Sequence, residues 1–163
     1  MVAGELTADE RVAIETIARY QFRLEPAEPF LPHGELEVHR SRSGRVDRIY
    51  HDGERLCTLT THGRLTLGIA GGRQLYRLAD FPMNRVIIGE EAVPFVADGR
   101  NAFAKFVLGV DDDIRPRDEV VVVNGDDRLI AVGRAELSAE GMLAFERGMA
   151  VSIRHPIDSG ATH

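Results

Sequence analysis

The chain opens on a helical pattern. Ala13, Ile14, Ile17, Ala18 and Gln21 recur at the spacing of one mostly apolar helix face. Thr7 and Glu10 stand three apart ahead of them, the arrangement in which each side chain caps a free backbone N–H. The pattern predicts a helix over 8–22. Pro26, Pro29 and Pro32 then interrupt any regular element and make an extended connection. From residue 35 the period falls to two, which predicts strands over 35–40, 45–50, 55–61 and 65–69. Ser41 to Gly44 and the Asp52-Gly53 pair supply turns, and Gly71-Gly72 is a turn ahead of a short helix over 73–79. Phe81 to Asn84 marks a junction. Beyond it come a strand over 85–88, a helical turn over 90–96, and strands over 103–110, 119–123 and 128–137. Ser138 then caps a helix over 139–147 that Gly148 stops, and a final strand over 150–154 ends at His155 and Pro156. This predicts an α+β N-terminal domain with a small antiparallel sheet over 1–81, a mainly β barrel-like domain over 82–156, and a loose tail over 157–163.

Composition narrows the function. Hydrophobic residues make up 44% of the 163, enough for packed cores. No stretch approaches the roughly 18–20 apolar residues of a membrane span, and the first residues lack the basic-then-apolar form of a secretory signal. Neither a membrane partner nor export is expected, which leaves the cytoplasm. The single cysteine, Cys57, excludes an internal disulfide and a thiolate zinc site. His33, His39, His51, His62, His155 and His163 lack metal-ligand spacing, and Ser41, Ser43 and Cys57 lack a base to activate them. Asp111 to Asp113 lack the spaced ligands of a calcium loop and read as a solvated acidic loop. No catalytic residue, metal or cofactor is expected.

Charge is distributed unevenly. The net is -6, but residues 38–77 alone carry eight Arg against Asp47, Asp52 and Glu54. Arg40, Arg42, Arg45 and Arg48 surround the Ser41–Gly44 turn, the densest basic cluster in the chain. Lys105 is the lone lysine among twenty basic residues. Arginine suits planar, bidentate recognition of phosphate. Together with the acidic balance it is also the composition of proteins from salt-loving archaea, in which net acidity describes the solvent and not the ligand.

Four runs carry a resemblance: Arg85 to Arg100 (RVIIGEEAVPFVADGR) with Asn101 to Val110 (NAFAKFVLGV), Ile114 to Asn124 (IRPRDEVVVVN), Leu129 to Ala135 (LIAVGRA), and Gly148 to His155 (GMAVSIRH). In this order they resemble a PUA domain, a compact RNA-binding pseudo-barrel. The first half, through Arg19 to Phe22, Val38 to Arg45 and Tyr50 to Leu59, is similar to the domain that precedes PUA in the archaeal tRNA-guanine transglycosylase family. That family's catalytic barrel and cysteine-rich zinc site have no counterpart here. Arg117 stands where the family usually has Gly, so a stiffened or reshaped turn is expected there.

The resemblance implies an RNA face along Gly99–Val110 and Val151–His155. Arg100 and Lys105 are then phosphate ligands, and Phe103 or Phe106 a stacking platform whose alternative is the core. Gly109 allows close backbone approach, and Arg154 and His155 contact phosphate or ribose. Arg40, Arg42 and Arg45 extend the set along the backbone. The expected function is a non-catalytic RNA-binding protein whose partner is RNA, tRNA first, as an accessory to a separate RNA-modifying enzyme of archaeosine type. The alternative is a protein-interaction subunit of such a complex, docking through the acidic first helix or an exposed side of Val121–Val123.

Overall fold

A computed structural model describes residues 4–157; of the expected tail, residues 158–163 lie outside the described residues. The chain divides into two compact units between Leu78 and Ala79.

The first unit begins with α1, Ala8–Phe22. Its start is fixed by a reciprocal cap: the Thr7 side chain accepts from the Glu10 N–H at 3.0 Å and the Glu10 carboxylate accepts from the Thr7 N–H at 2.9 Å. The buried stripe is Ile14, Ala18 and Phe22, one residue in four, while Ala13 of the expected face is exposed. Gln21 reaches out instead, bonding the Leu65 backbone through both ends of its amide at 2.7 and 2.8 Å. The proline-rich connection is anchored midway. Phe30 and Leu31 are buried, and their N–H groups donate to the two oxygens of Glu15 at 2.8 and 2.9 Å.

Four strands come next as an antiparallel meander: β1 (Glu37–Arg40), β2 (Val46–His51), β3 (Glu54–Leu59) and β4 (Leu65–Leu67). Val38, Ile49, Cys57 and Leu67 align across all four and are buried together. The second helix, α2, spans Ile69–Leu78 and contains Gly71 and Gly72, whereas the sequence pattern places them in a turn ahead of it. The physical reason is packing. A Cβ on Gly71 would sit 1.9 Å from the Leu56 carbonyl oxygen, so glycine is what lets the helix backbone lie against β3.

The second unit is a six-stranded pseudo-barrel. Its strands are β5 (Arg85–Ile88), β6 (Ala102–Phe103), β7 (Val107–Val110), β8 (Glu119–Val123), β9 (Leu129–Ala135) and β10 (Met149–Pro156). The order is β6-β10-β9-β8-β5-β7, with β5 and β8 parallel and the other pairs antiparallel. The expected single strand over 103–110 is broken by a 3-10 turn, Ala104–Phe106, which carries the chain from the β10 edge to the β5 edge. That crossing joins the two ends of the sheet. All five residues of β8 are buried, and each buried valine contributes about 2 kcal/mol. Val121 and Val123 therefore offer no exposed side for docking, contrary to expectation.

Two short helices complete the unit: α3, Val93–Ala97, and α4, Ala139–Ala144, the latter capped by Ser138 accepting from the Gly141 N–H at 3.0 Å. Asp111 is buried, not solvated: it accepts from the N–H groups of Asn84 at 2.7 Å and Asp113 at 3.1 Å. Arg85 is buried as well. It donates to Asp127 at 3.0 Å and to the carbonyls of Ala79 and Met83 at 2.7 and 3.0 Å, closing the start of the unit.

Candidate nucleic-acid interface

The segment from Val93 to Phe106 presents aromatic and cationic side chains together. α3 is only five residues long and buries Val96, which leaves the Phe95 ring 56% exposed. The chain then turns through Gly99 in the left-handed region (φ 97°), and the Arg100 N–H donates back to the Phe95 carbonyl at 3.0 Å. This turn brings the Arg100 guanidinium over the Phe95 ring, 5.9 Å from its centre. The sequence pattern alone does not single out Phe95. The signal that marks it is local: in this short helix Val93, Val96 and Ala97 turn toward the core, which leaves Phe95 on the outer face.

The path onward is pinned to β10. Asn101 accepts from the Ile153 N–H at 2.9 Å, Ala102 pairs with Val151, and Phe103 pairs with Met149. Arg100 and Phe103 are thereby held beside β10, the strand that carries His155. Phe103 points outward at 46% exposure, whereas Phe106 packs on the core. The 3-10 turn between them, rather than strand alternation, separates their roles. Lys105 is exposed within that turn, its Nζ 5.0 Å from the centre of the Phe106 ring. It also borders an open groove of about 660 Å³ lined by Val107, Leu143, Phe145 and Arg147. Gly109 lies farther along, in β7, paired with Ile87 at the opposite end of the strand order.

Arg154 behaves differently from Arg100. Its two terminal nitrogens each donate to one oxygen of Glu119, whose carboxylate is 4% exposed. The hydrogen bonds to Glu119 raise the Arg154 pKa above its ordinary value. The Arg154 side chain is thus committed inside the unit. The His155 side chain is half-buried, with its Nε2 shielded from solvent.

In the first unit, Arg40 grips both oxygens of Glu10 at 2.7 Å and donates to the Gly44 carbonyl at 2.8 Å. The Arg40 guanidinium holds the Glu10 carboxyl well down, to about 2. Arg45 donates to the carbonyls of Val46 and Leu59 at 3.3 and 3.2 Å. Arg42 is exposed at the tip of the β1–β2 turn. Arg48 is exposed too, beside Asp47 at 3.5 Å. Arg73 and Arg77 pair with Glu54 at 2.7 Å and Glu28 at 2.6 Å. Much of the basic middle is therefore internal wiring.

Among the described residues, no group of three or more His, Cys, Asp and Glu lies close enough to hold a metal, and no helix is long and apolar enough to cross a membrane.

Comparison with known families matches residues 84–157 to the PUA domain and residues 12–82 to the patch-forming domain C2 of tRNA-guanine transglycosylase. The chain is 42% identical over 148 residues to tRNA-guanine(15) transglycosylase of Pyrococcus abyssi, covering 90% of this chain and 25% of that one. It is 39% identical over 152 residues to the Methanothermobacter thermautotrophicus protein of the same name, covering 92% and 23%. It spans only about a quarter of the length of these relatives, their C-terminal part. Among solved structures, a conserved PUA domain protein from Thermoplasma acidophilum superposes with a TM-score of 0.65 at 26% identity, covering 93% of this chain and 91% of that one.

Proposed function

Since the chain belongs, over residues 12–82 and 84–157, to the patch-forming C2 and PUA domains of the archaeal tRNA-guanine transglycosylase family, we propose that it binds structured RNA, tRNA first, without catalysing a reaction itself. The observation that carries this reading is the outward-facing set along the β10 edge: Phe95 under Arg100, then Phe103 and Lys105. Exposed rings offer stacking surfaces for unpaired bases, and the neighbouring cations neutralise phosphate. Arg154 contributes by holding β10 in place, and His155 and Gly109 contribute shape. In the cell, the protein serves as a detached RNA-holding part for a tRNA-modifying enzyme of archaeosine type. It works in the cytoplasm and in concentrated salt, where the Debye length shrinks to a few Å and short contacts outweigh long-range attraction.

The test is fluorescence anisotropy with labelled, folded tRNA across a KCl series. Binding that weakens with salt, and about tenfold weaker binding by the Phe95→Ala variant, are expected. A folded wild-type protein that binds neither tRNA nor an rRNA fragment at any salt concentration overturns the reading.

A second reading has its own observation. Val12 and Tyr20, eight residues apart on α1, are 64% and 80% exposed. Such a stripe on an acidic helix suits docking to an enzyme subunit. A pull-down that recovers a stoichiometric enzyme after ribonuclease treatment, and loses it with Tyr20→Ser, favours this reading over direct RNA binding.

A further inference from the structure

The two edges of the first sheet are finished differently. At the β4 edge, Gln21 of α1 closes the strand by bonding both the carbonyl and the N–H of Leu65, at 2.7 and 2.8 Å. β1 is the strand at the other edge, and among the described residues no backbone hydrogen bond joins the outer side of Glu37 to His39. A groove of about 520 Å³ opens there. It is lined by two segments outside any helix, Gly4 to Leu6 and Gly34 to Val38, and by Arg11 of α1. The β-bulge between His39 and Arg40, together with the Arg40–Glu10 pair, confines the open stretch to the start of the strand.

Exposure alternates along this stretch. Glu35 and Glu37 are exposed, Leu36 is half-buried and Val38 is buried. Leu6 is half-buried as well and joins Leu36 in the apolar part of the lining. Glu5 adds a third carboxylate against the single cation of Arg11. His39 bonds one oxygen of Glu37 at 2.5 Å, and the Glu37 side chain stays 54% exposed.

We propose that this groove takes an extended segment of a partner protein, which adds to the sheet beside β1 and alternates basic with apolar residues. An open strand edge offers backbone donors and acceptors to any extended chain, so the side chains beside it choose the occupant. A strand laid on β1 also has period two. Its residues on one side meet Glu35 and Glu37, which selects Lys or Arg. Those on the other meet Leu36 and Leu6, which selects aliphatic side chains. A second copy of this chain does not fit, because antiparallel pairing through the same stretch sets its carboxylates against their own counterparts. The contact is independent of RNA binding at the β10 edge.

The probe is a fluorescent hexapeptide of alternating arginine and valine, titrated by anisotropy into ribonuclease-treated protein in low-salt buffer. Saturable binding is expected, with NMR amide shifts at Leu36 to His39 and none at Leu65 to Leu67. Glu35→Gln/Glu37→Gln removes two exposed charges and is expected to weaken binding about fivefold. Circular dichroism checks that this variant is folded. The same peptide N-methylated on alternate residues keeps its charge but loses the donors that face β1, and is expected not to bind. Equal binding by the N-methylated peptide overturns the proposal, since charge attraction without strand pairing then accounts for it. Wild-type affinity in the double variant, or an equally tight glutamate-valine peptide, overturns the basic occupant. A dimer in sedimentation velocity that shifts the same amides overturns it too, because a second copy then fills the groove.

Discussion

Arg154 on β10 reaches past β9 to clasp Glu119 on β8 with both arms of its guanidinium. The Glu119 carboxylate is 4% exposed, so nothing in bulk solvent replaces this partner. Arg154→Ala takes both guanidinium donors away from a buried carboxylate and is expected to cost about 3 kcal/mol. Urea unfolding reads it as a lower midpoint at constant m-value. Arg154→Lys keeps the charge but loses the fork, and is expected to fall between the two. A midpoint equal to wild type in the Ala variant would show that the pair contributes nothing net.

The Glu10–Arg40 pair makes the acid limb of stability predictable. The Glu10 pKa falls from 4.5 to about 2 on folding, chiefly through the hydrogen bonds from Arg40. A folded-state pKa below the unfolded one contributes stability at higher pH. That contribution is present above about pH 4.5 and lost as the pH falls toward 2. Glu10→Gln keeps a capping side chain but removes the charge. Its melting temperature is expected to lie below that of wild type at pH 7 and to converge with it near pH 2. Parallel curves across that window would contradict the assignment.

Arg117 adopts φ 77°, the left-handed conformation that glycine reaches without strain, and its N–H donates to the Ala135 carbonyl at 2.7 Å. Arginine thus bears the strain of this turn. Arg117→Gly is expected to stabilise by about 0.5–1 kcal/mol, relief of strain outweighing the added chain entropy. A lower melting temperature in the variant would mean the arginine side chain is worth more than the strain.

Cys57 lies in the buried row of the first sheet, and burial pushes its thiol up to about 12. At pH 8 it is expected to resist a thiol reagent until the first unit opens, so its labelling rate should track local unfolding with rising urea. Labelling of native protein at the rate of a free thiol would contradict the packing described.

Local sequence determined the elements whose causes are local. The Thr7–Glu10 cap set the start of α1, Ser138 the start of α4, and the valine run the bounds of β8. The ordered motifs from Arg85 to His155 carried the PUA resemblance for the same reason, since spacing along the chain is enough to state them. Tertiary structure alone decided which cations face water. Arg40, Arg45 and Arg154 look like Arg42 and Arg100 in the sequence, but their partners lie 14 to 35 residues away and only folding brings them together. It also decided that Gly71 and Gly72 belong inside a helix, because the demand for glycine comes from a strand backbone pressed against them. The break at Ala104–Phe106 has the same origin: joining the ends of the sheet forces the chain from one edge to the other, a constraint that no local pattern records.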